Sequence, residues 1–321
     1  MRIKVLVLGK IHHSGIDLLK DQKNFEIILE EDKPKNLLEI CEKINAVIVR
    51  MTPIDKNFID ASKNLKIVSR HGVGYNTVNV DKLTENNIPL FITGDVNSTA
   101  VAEHAFSMMI SYTKNIIEHN NAVINQNFKI RDSYKALELF GKKILIIGYG
   151  RIGIKFANLC EAFGMKVLVA DKFLDKSKVK YEANFSNKFE DFLADADFIS
   201  LHTPHKRGTP PMFGKKQFKI MKSNSVIINT SRGDLIDEIE LIKALNEKII
   251  GGACLDVFNP EPPSNKNFLL SSSNVILSPH SAAYTKEAIE KMSLSCCKNV
   301  ISFFSKEFDK NLMVNFKNIK L

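Results

Sequence analysis

Residues 142–172 read KKILIIGYGRIGIKFANLCEAFGMKVLVADK. An apolar run ends at Ile147, glycines follow at Gly148, Gly150 and Gly153, and a second apolar run ends at Ala170 and Asp171. This is the pattern of a strand, a tight turn, a helix and a second strand. Gly148 permits the turn, Gly150 lets the backbone approach a pyrophosphate, and Gly153 lets the helix pack closely on the strand. A helix start so placed offers unpaired N–H groups and a partial positive charge to phosphate. Asp171 stands where a carboxylate accepts hydrogen bonds from the adenosine ribose and repels a 2′-phosphate, which favours NAD over NADP. Lys172 is its neighbour.

The same alternation extends outward in both directions. Strands are expected at 144–147, 166–170, 198–201, 226–229, 252–255 and 275–277. Before them, strands at 3–8, 26–29, 46–49, 67–69 and 90–92 alternate with helical stretches such as 36–43 and 55–62. One long helix is expected over 99–126, then a polar linker over 127–143, and a helix with a short tail from Thr285. Strands alternating with helices give a parallel α/β sheet, and 321 residues are enough for two domains.

Bulk properties narrow the function classes. No run approaches the ~18 apolar residues of a membrane span. The opening MRIKVLVLGK reads as a strand and lacks a cleavage signal. Five cysteines without a CxxC pair suit a reduced, cytoplasmic chain with neither a metal site nor a disulfide framework. The net charge of +9 favours anionic partners. The lysines are scattered, with no basic stripe interleaved with aromatics, so a small anion is expected and nucleic acid is not.

Three polar residues stand at the ends of apolar runs in the second half. Arg232 lies in VIINTSRGDLID, Glu261 in LDVFNPEPP and His280 in NVILSPHSAA. A guanidinium fork matches a carboxylate in bidentate fashion. Histidine exchanges protons near neutral pH, and a nearby carboxylate fixes its tautomer. Taken singly, each also fits a solvated loop residue. The other histidines, at 12, 13, 71, 104, 119, 202 and 205, lack this strand-end setting.

Together the motifs SRHGVGYN, NSTAVAEHAFSMM, GKKILIIGYGRIG, LHTP, KSNSVIINTSRGDLIDEIELIKAL, GGACLDVFNPEPP and NVILSPHSAAYTKEA resemble the D-isomer-specific 2-hydroxyacid dehydrogenases over nearly the whole chain. The resemblance implies two Rossmann-like, doubly wound parallel-sheet domains of α/β class with an active-site cleft between them. A flavodoxin-like substrate domain would span 1–98 and be completed by 286–321, with the NAD-binding domain at 99–285. It further implies domain closure and a homodimer built on the nucleotide domain.

By resemblance, Arg232 would hold the substrate carboxylate, His280 would be the general acid/base and Glu261 its partner. Backbone N–H groups at Val73 and Gly74 would also touch the carboxylate. Gly148, Gly150, Arg151, Ile152, Gly153, Asp171, His202, Thr203, Pro204, Thr230, Ser231, Asp256 and Ala282 would form the NAD site. The implied reaction is NAD-dependent oxidation of a D-2-hydroxy acid to the 2-keto acid, and its reverse.

VRMTPI, AVAEH and YTKEA are most similar to the phosphoglycerate dehydrogenase branch, with Arg50 and Arg131 where substrate-contacting basic residues would lie. The expected substrate is therefore 3-phosphoglycerate, in serine biosynthesis. The alternatives are a hydroxypyruvate or glyoxylate reductase and, from another class, a non-catalytic NAD-sensing corepressor. The chain departs from the family pattern at GYNTVNVD, where Asn76 and Asn79 replace acids. It departs again at PHKRGTPPM, which brings His205, Lys206 and Arg207 near the cofactor-domain rim, and it has no tryptophan in the linker. Ending near Leu321, it leaves no room for a C-terminal regulatory domain, so serine feedback through one is not expected.

Overall fold

Short runs of Val, Ile and Leu form the strands, and small polar residues start the helices between them. The computed structural model describes residues 2–32, 34–181, 184–205 and 208–320. In chain order the elements begin with β1 (Ile3–Leu8), α1 (His13–Lys20), β2 (Phe25–Glu30), α2 (Leu37–Cys41), β3 (Ala46–Val49) and α3 (Lys56–Ala61). Then come β4 (Ile67–Arg70), α4 (Val80–Glu85), β5 (Leu90–Phe91), α5 (Ser98–Thr113) and α6 (Ile116–Ile124). β6 (Lys143–Ile147), α7 (Arg151–Ala162), β7 (Lys166–Ala170), β8 (Phe185–Ser186), α8 (Glu190–Leu193), β9 (Phe198–Leu201) and α9 (Lys215–Ile220) follow. The series closes with β10 (Val226–Asn229), α10 (Glu238–Asn246), β11 (Gly252–Leu255), β12 (Val275–Leu277) and α11 (Lys286–Phe304).

The chain divides into two units. One joins Met1–Asn97 to Tyr284–Leu321, and the other is Ser98–Ala283. The first holds a five-stranded sheet in the order β2-β1-β3-β4-β5, the second a seven-stranded sheet in the order β12-β11-β10-β9-β6-β7-β8. All the paired strands run parallel. Side chains alternate between the faces. In β6, Ile144 and Ile146 join the core under α5 and α7, while Leu145 and Ile147 join the opposite core with Phe213 and Phe218. Both faces are covered, which is why these strands read as continuous apolar runs.

Helix starts follow local chemistry. Asp55 accepts the Phe58 N–H, Asp237 the Glu240 N–H and Thr285 the Ala288 N–H, each satisfying an orphan amide of the first turn. The single helix expected over 99–126 is two helices. Thr113 Oγ1 donates back to the Met109 and Ile110 carbonyls, and Asn115 adopts φ +50°, a left-handed conformation that Asn tolerates. β8 carries no sequence signal beyond two residues and was not expected.

Candidate active site and nucleotide cradle

In the second unit the candidate residues gather at the carboxyl edge of the sheet. Gly148 follows β6, Asp171 follows β7, His202 follows β9, Thr230 follows β10, Asp256 follows β11 and Ser278 follows β12. In an open parallel sheet, ligands bind at this edge.

The turn after β6 fits a dinucleotide. Gly148 has φ +95°, and a Cβ there would lie 2.6 Å from the His202 carbonyl oxygen. A Cβ on Gly153 would meet the Gly148 carbonyl oxygen at 2.0 Å, so only glycine allows α7 to pack this closely. A Cβ on Gly150 would meet nothing within 4 Å, which is the open space a pyrophosphate needs. Gly150 caps α7 without a side-chain hydrogen bond, leaving the first-turn amides at Arg151 and Ile152 for an anion. Asp171 is held by two backbone donors, Tyr149 N–H to Oδ2 and Phe173 N–H to Oδ1, both at 2.9 Å. Thr230 Oγ1 is buried without a hydrogen-bond partner, an orphan that a bound ligand would satisfy.

Other residues assigned to the cofactor by resemblance make contacts within the protein. The His202 ring packs 4.9 Å from the Phe156 ring, with Nε2 2.9 Å from Ser200 Oγ. Burial pushes its pKa down to about 3. Its side chain is thus structural, and it is the His202 carbonyl and the Thr203 amide nitrogen that border the glycine turn. Ser231 Oγ donates to the Thr203 carbonyl at 2.6 Å. The Asp256 carboxylate has no solvent exposure, and the Ala282 N–H donates to its Oδ2 at 2.9 Å. Lys206 and Arg207 lie outside the described residues. His205 Nε2 meets Thr209 Oγ1 at 3.0 Å.

The three polar candidates of the second half lie in this unit. Glu261 Oε2 is 2.7 Å from His280 Nδ1, and Glu261 Oε1 accepts the Phe258 N–H at 2.9 Å. An ionised carboxylate only accepts, so Nδ1 carries the proton and Nε2 is left for another partner. Burial alone would raise the Glu261 pKa, but the hydrogen bonds from His280 and Phe258 and the charge of Arg232 outweigh it and hold it below the ordinary range. Arg232 Nη1 donates to the Ser231 carbonyl at 2.6 Å. Burial lowers its pKa, while the charges of Glu261 and Asp234 oppose that. The loop carrying Glu261 passes over Gly233, where a Cβ would meet the Phe258 carbonyl oxygen at 2.1 Å.

The first unit carries the other candidates. Arg50 follows β3. Its Nε and Nη2 donate to Tyr284 Oη at 3.2 and 3.1 Å, and Nη1 donates to the Lys10 carbonyl at 3.3 Å. The guanidinium also lies over the Tyr284 ring, 5.1 Å from its centroid. Val73 and Gly74 follow β4, and among the described residues neither amide donates to a backbone carbonyl. Arg70 Nη1 donates to the His71 and Val49 carbonyls at 2.5 and 3.4 Å, bracing the start of this loop. Arg131 is placed elsewhere. It sits on a 3₁₀ turn of the second unit, its side chain 75% exposed, with Nε 3.6 Å from Asp132 Oδ1, and the structure does not gather it with Arg232, Glu261 and His280.

A strand, glycine turn and helix with an acid at the end of the next strand, on the same sheet edge as a carboxylate-paired histidine, fit the class of NAD-dependent oxidoreductases. The chain belongs to the D-isomer-specific 2-hydroxyacid dehydrogenase family, whose NAD-binding domain it matches over residues 106–282. Among its relatives, a glyoxylate reductase of Thermococcus litoralis is 34% identical, covering 98% of this chain and 97% of that protein. A D-3-phosphoglycerate dehydrogenase of Archaeoglobus fulgidus is 32% identical over 94% of this chain, which spans 57% of that protein's length. A solved 2-hydroxyacid dehydrogenase of Ketogulonicigenium vulgare superposes with TM-score 0.82 at 26% identity, covering 95% of this chain and 96% of that one.

Sequence reasoning missed the supporting residues. His104 and Ser278, which contact Asp256, and Tyr284, which holds Arg50, gave no local signal, because their partners lie 152, 22 and 234 residues away.

Proposed function

We propose that this enzyme interconverts 3-phosphoglycerate and 3-phosphohydroxypyruvate, with Arg232, Glu261 and His280 as its reacting set. The observation that carries the chemistry is the 2.7 Å contact between Glu261 and His280. It fixes the imidazole with Nε2 outward, the atom that takes the C2 hydroxyl proton in oxidation and returns it to the carbonyl oxygen in reduction. Arg232 holds the substrate carboxylate. NAD, when bound, accepts the hydride from C2. Thr230 and the first-turn amides of α7 would hold it, and Asp171 would take the ribose hydroxyls.

Arg50 supports the phosphorylated substrate. A guanidinium has five N–H hydrogens, and the three contacts to Tyr284 and Lys10 leave two for a phosphate. The second reading is reduction of glyoxylate or hydroxypyruvate. It is favoured by the 97% coverage of the T. litoralis glyoxylate reductase against 57% of the A. fulgidus phosphoglycerate dehydrogenase. Initial rates of NADH oxidation decide between them. Preference for 3-phosphohydroxypyruvate, lost in Arg50→Ala, supports the first reading, and preference for glyoxylate or hydroxypyruvate, indifferent to Arg50→Ala, supports the second.

The working form proposed is a cytoplasmic homodimer. All five cysteines are free and buried, and no helix among the described residues is long and apolar enough to cross a membrane. Between residues 116 and 140 the second unit exposes Ile124 (70%), Phe128 (68%) and Phe140 (79%), with Ile116, Ile117 and Val123 about half exposed. A second copy covering this surface would remove it from water.

A further inference from the structure

We propose that His104 is a positioning residue for His280, acting through Ser278 and Asp256. The inference rests on the reading of His280 as the acid/base group.

His280 stands in a demanding place. Its φ is +50°, a left-handed conformation that residues other than glycine rarely adopt, and its side chain is 45% exposed. What holds it there is Asp256. The Asp256 carbonyl accepts the His280 N–H at 2.8 Å. Its Oδ1 accepts the Ser281 N–H at 2.8 Å, and its Oδ2 accepts the Ala282 N–H at 2.9 Å. Three successive amides of the catalytic loop are thus tied to one residue.

The carboxylate itself is fixed from the other side. Ser278 Oγ lies 2.6 Å from Asp256 Oδ1, and His104 Nε2 lies 2.9 Å from Ser278 Oγ and 3.5 Å from Asp256 Oδ1. A hydroxyl has one hydrogen. Ser278 has a second acceptor within reach, Met108 Sδ at 3.6 Å, but the nearer, charged carboxylate takes the hydrogen. Ser278 Oγ must then accept from His104, so the proton sits on His104 Nε2. The direction of every bond in the chain is set: His104 to Ser278 to Asp256, with the loop amides converging on the same carboxylate.

Burial alone would raise the Asp256 pKa, and these donors hold it below the usual carboxylate range. His104 also gives the chain its rigidity. It projects from α5, whose Ala102, Ala105, Met108 and Met109 are buried in the core against the sheet. The catalytic loop is therefore fastened to a packed helix, and holding a reacting group on a rigid element preserves its geometry. A small displacement of the base is enough to slow proton transfer without weakening binding.

The test is steady-state kinetics on His104→Ala, His104→Gln and His280→Ala, with NADH affinity from fluorescence titration. Glutamine places an N–H donor close to the imidazole Nε2 position, and alanine does not. For His104→Ala the expected result is a fall in kcat of about tenfold or more, with KM and NADH affinity within about twofold of native. His104→Gln should recover most of kcat. If His104→Ala does not fold, Ser278→Ala breaks the same chain and should show the same kcat-selective loss. Equal damage in His104→Ala and His104→Gln overturns the inference, because ring bulk and not the donor would then matter. An unchanged kcat in His104→Ala, with turnover lost in His280→Ala, overturns the inference alone. Turnover surviving His280→Ala overturns the acid/base reading, and this inference with it.

Discussion

His280 and Glu261 carry the most direct predictions at the scale of single residues. His280→Ala removes the proposed proton-transfer group and should lower kcat by about 10²–10⁴-fold while leaving NADH affinity intact. Glu261→Gln keeps the size but loses the charge that orients the imidazole, and a smaller loss is expected, again in kcat. Arg232→Lys replaces the planar fork by a point charge and should act mainly on the keto-acid KM. Pre-steady-state rates of NADH oxidation separate these effects. Strand ends drew attention to Arg232 and His280, but singly each of the three residues fitted a solvated loop position, and only the family motifs taken together marked Arg232, Glu261 and His280 as a set. The bracing by His104 was not legible, because a lone histidine on a helix gives no hint of a partner 152 residues away. The resemblance marked Asp256 for a cofactor contact, and its hydrogen bonds to Ser278, Ser281 and Ala282 were equally invisible in the sequence.

At the scale of elements, the turn between β6 and α7 is the sensitive point. A Gly153→Ala substitution puts a methyl group 2.0 Å from the Gly148 carbonyl oxygen, so α7 must shift away from the strand. Overpacking of this kind costs about 1–3 kcal/mol or more, and it also displaces the first-turn amides of α7 proposed to hold the pyrophosphate. Calorimetry should show a lower Tm for the ligand-free protein and a smaller Tm rise on adding NADH. The glycine spacing located this turn without any structure, because each glycine answers a local steric demand. The break between α5 and α6 was hidden, since residues 99–126 keep apolar positions throughout. Only the back-bonding Thr113 and the left-handed Asn115 mark it, and both residue types also occur inside helices.

At the scale of the whole molecule, stability should fall on mild acidification. His71 is buried, with Nε2 2.9 Å from Ser293 Oγ. Burial, followed by the charges of Arg70 and Arg50, lowers its pKa from 6.5 to about 4. The unfolded chain therefore binds this proton first. Stability is fully present above pH 6.5 and is lost as pH falls from 6.5 to about 4, by roughly 3 kcal/mol for this one group. His202, lowered to about 3 by burial, acts in the same direction. Urea midpoints near neutral pH and near pH 4.5 should differ, and His71→Gln should reduce the difference. The apolar surface over residues 116–140 makes a separate prediction. Light scattering should give the mass of a dimer, and Ile124→Lys should shift it toward the monomer. The α/β class was legible from strand alternation alone, whereas this surface was not, because the segment reads as helix and polar linker until its exposure is known.

One paired assay bears most directly on the central claim: NADH oxidation driven by 2-keto acids, measured for the native enzyme and for His280→Ala, with NADH binding followed in both. The expected result is turnover by the native enzyme with at least one of 3-phosphohydroxypyruvate, hydroxypyruvate and glyoxylate. The variant should bind NADH as tightly and turn over about 10²–10⁴ times more slowly. Equal rates in the two proteins would contradict the assignment of His280 as the acid/base group, and NADH binding without turnover in either would contradict the catalytic reading itself.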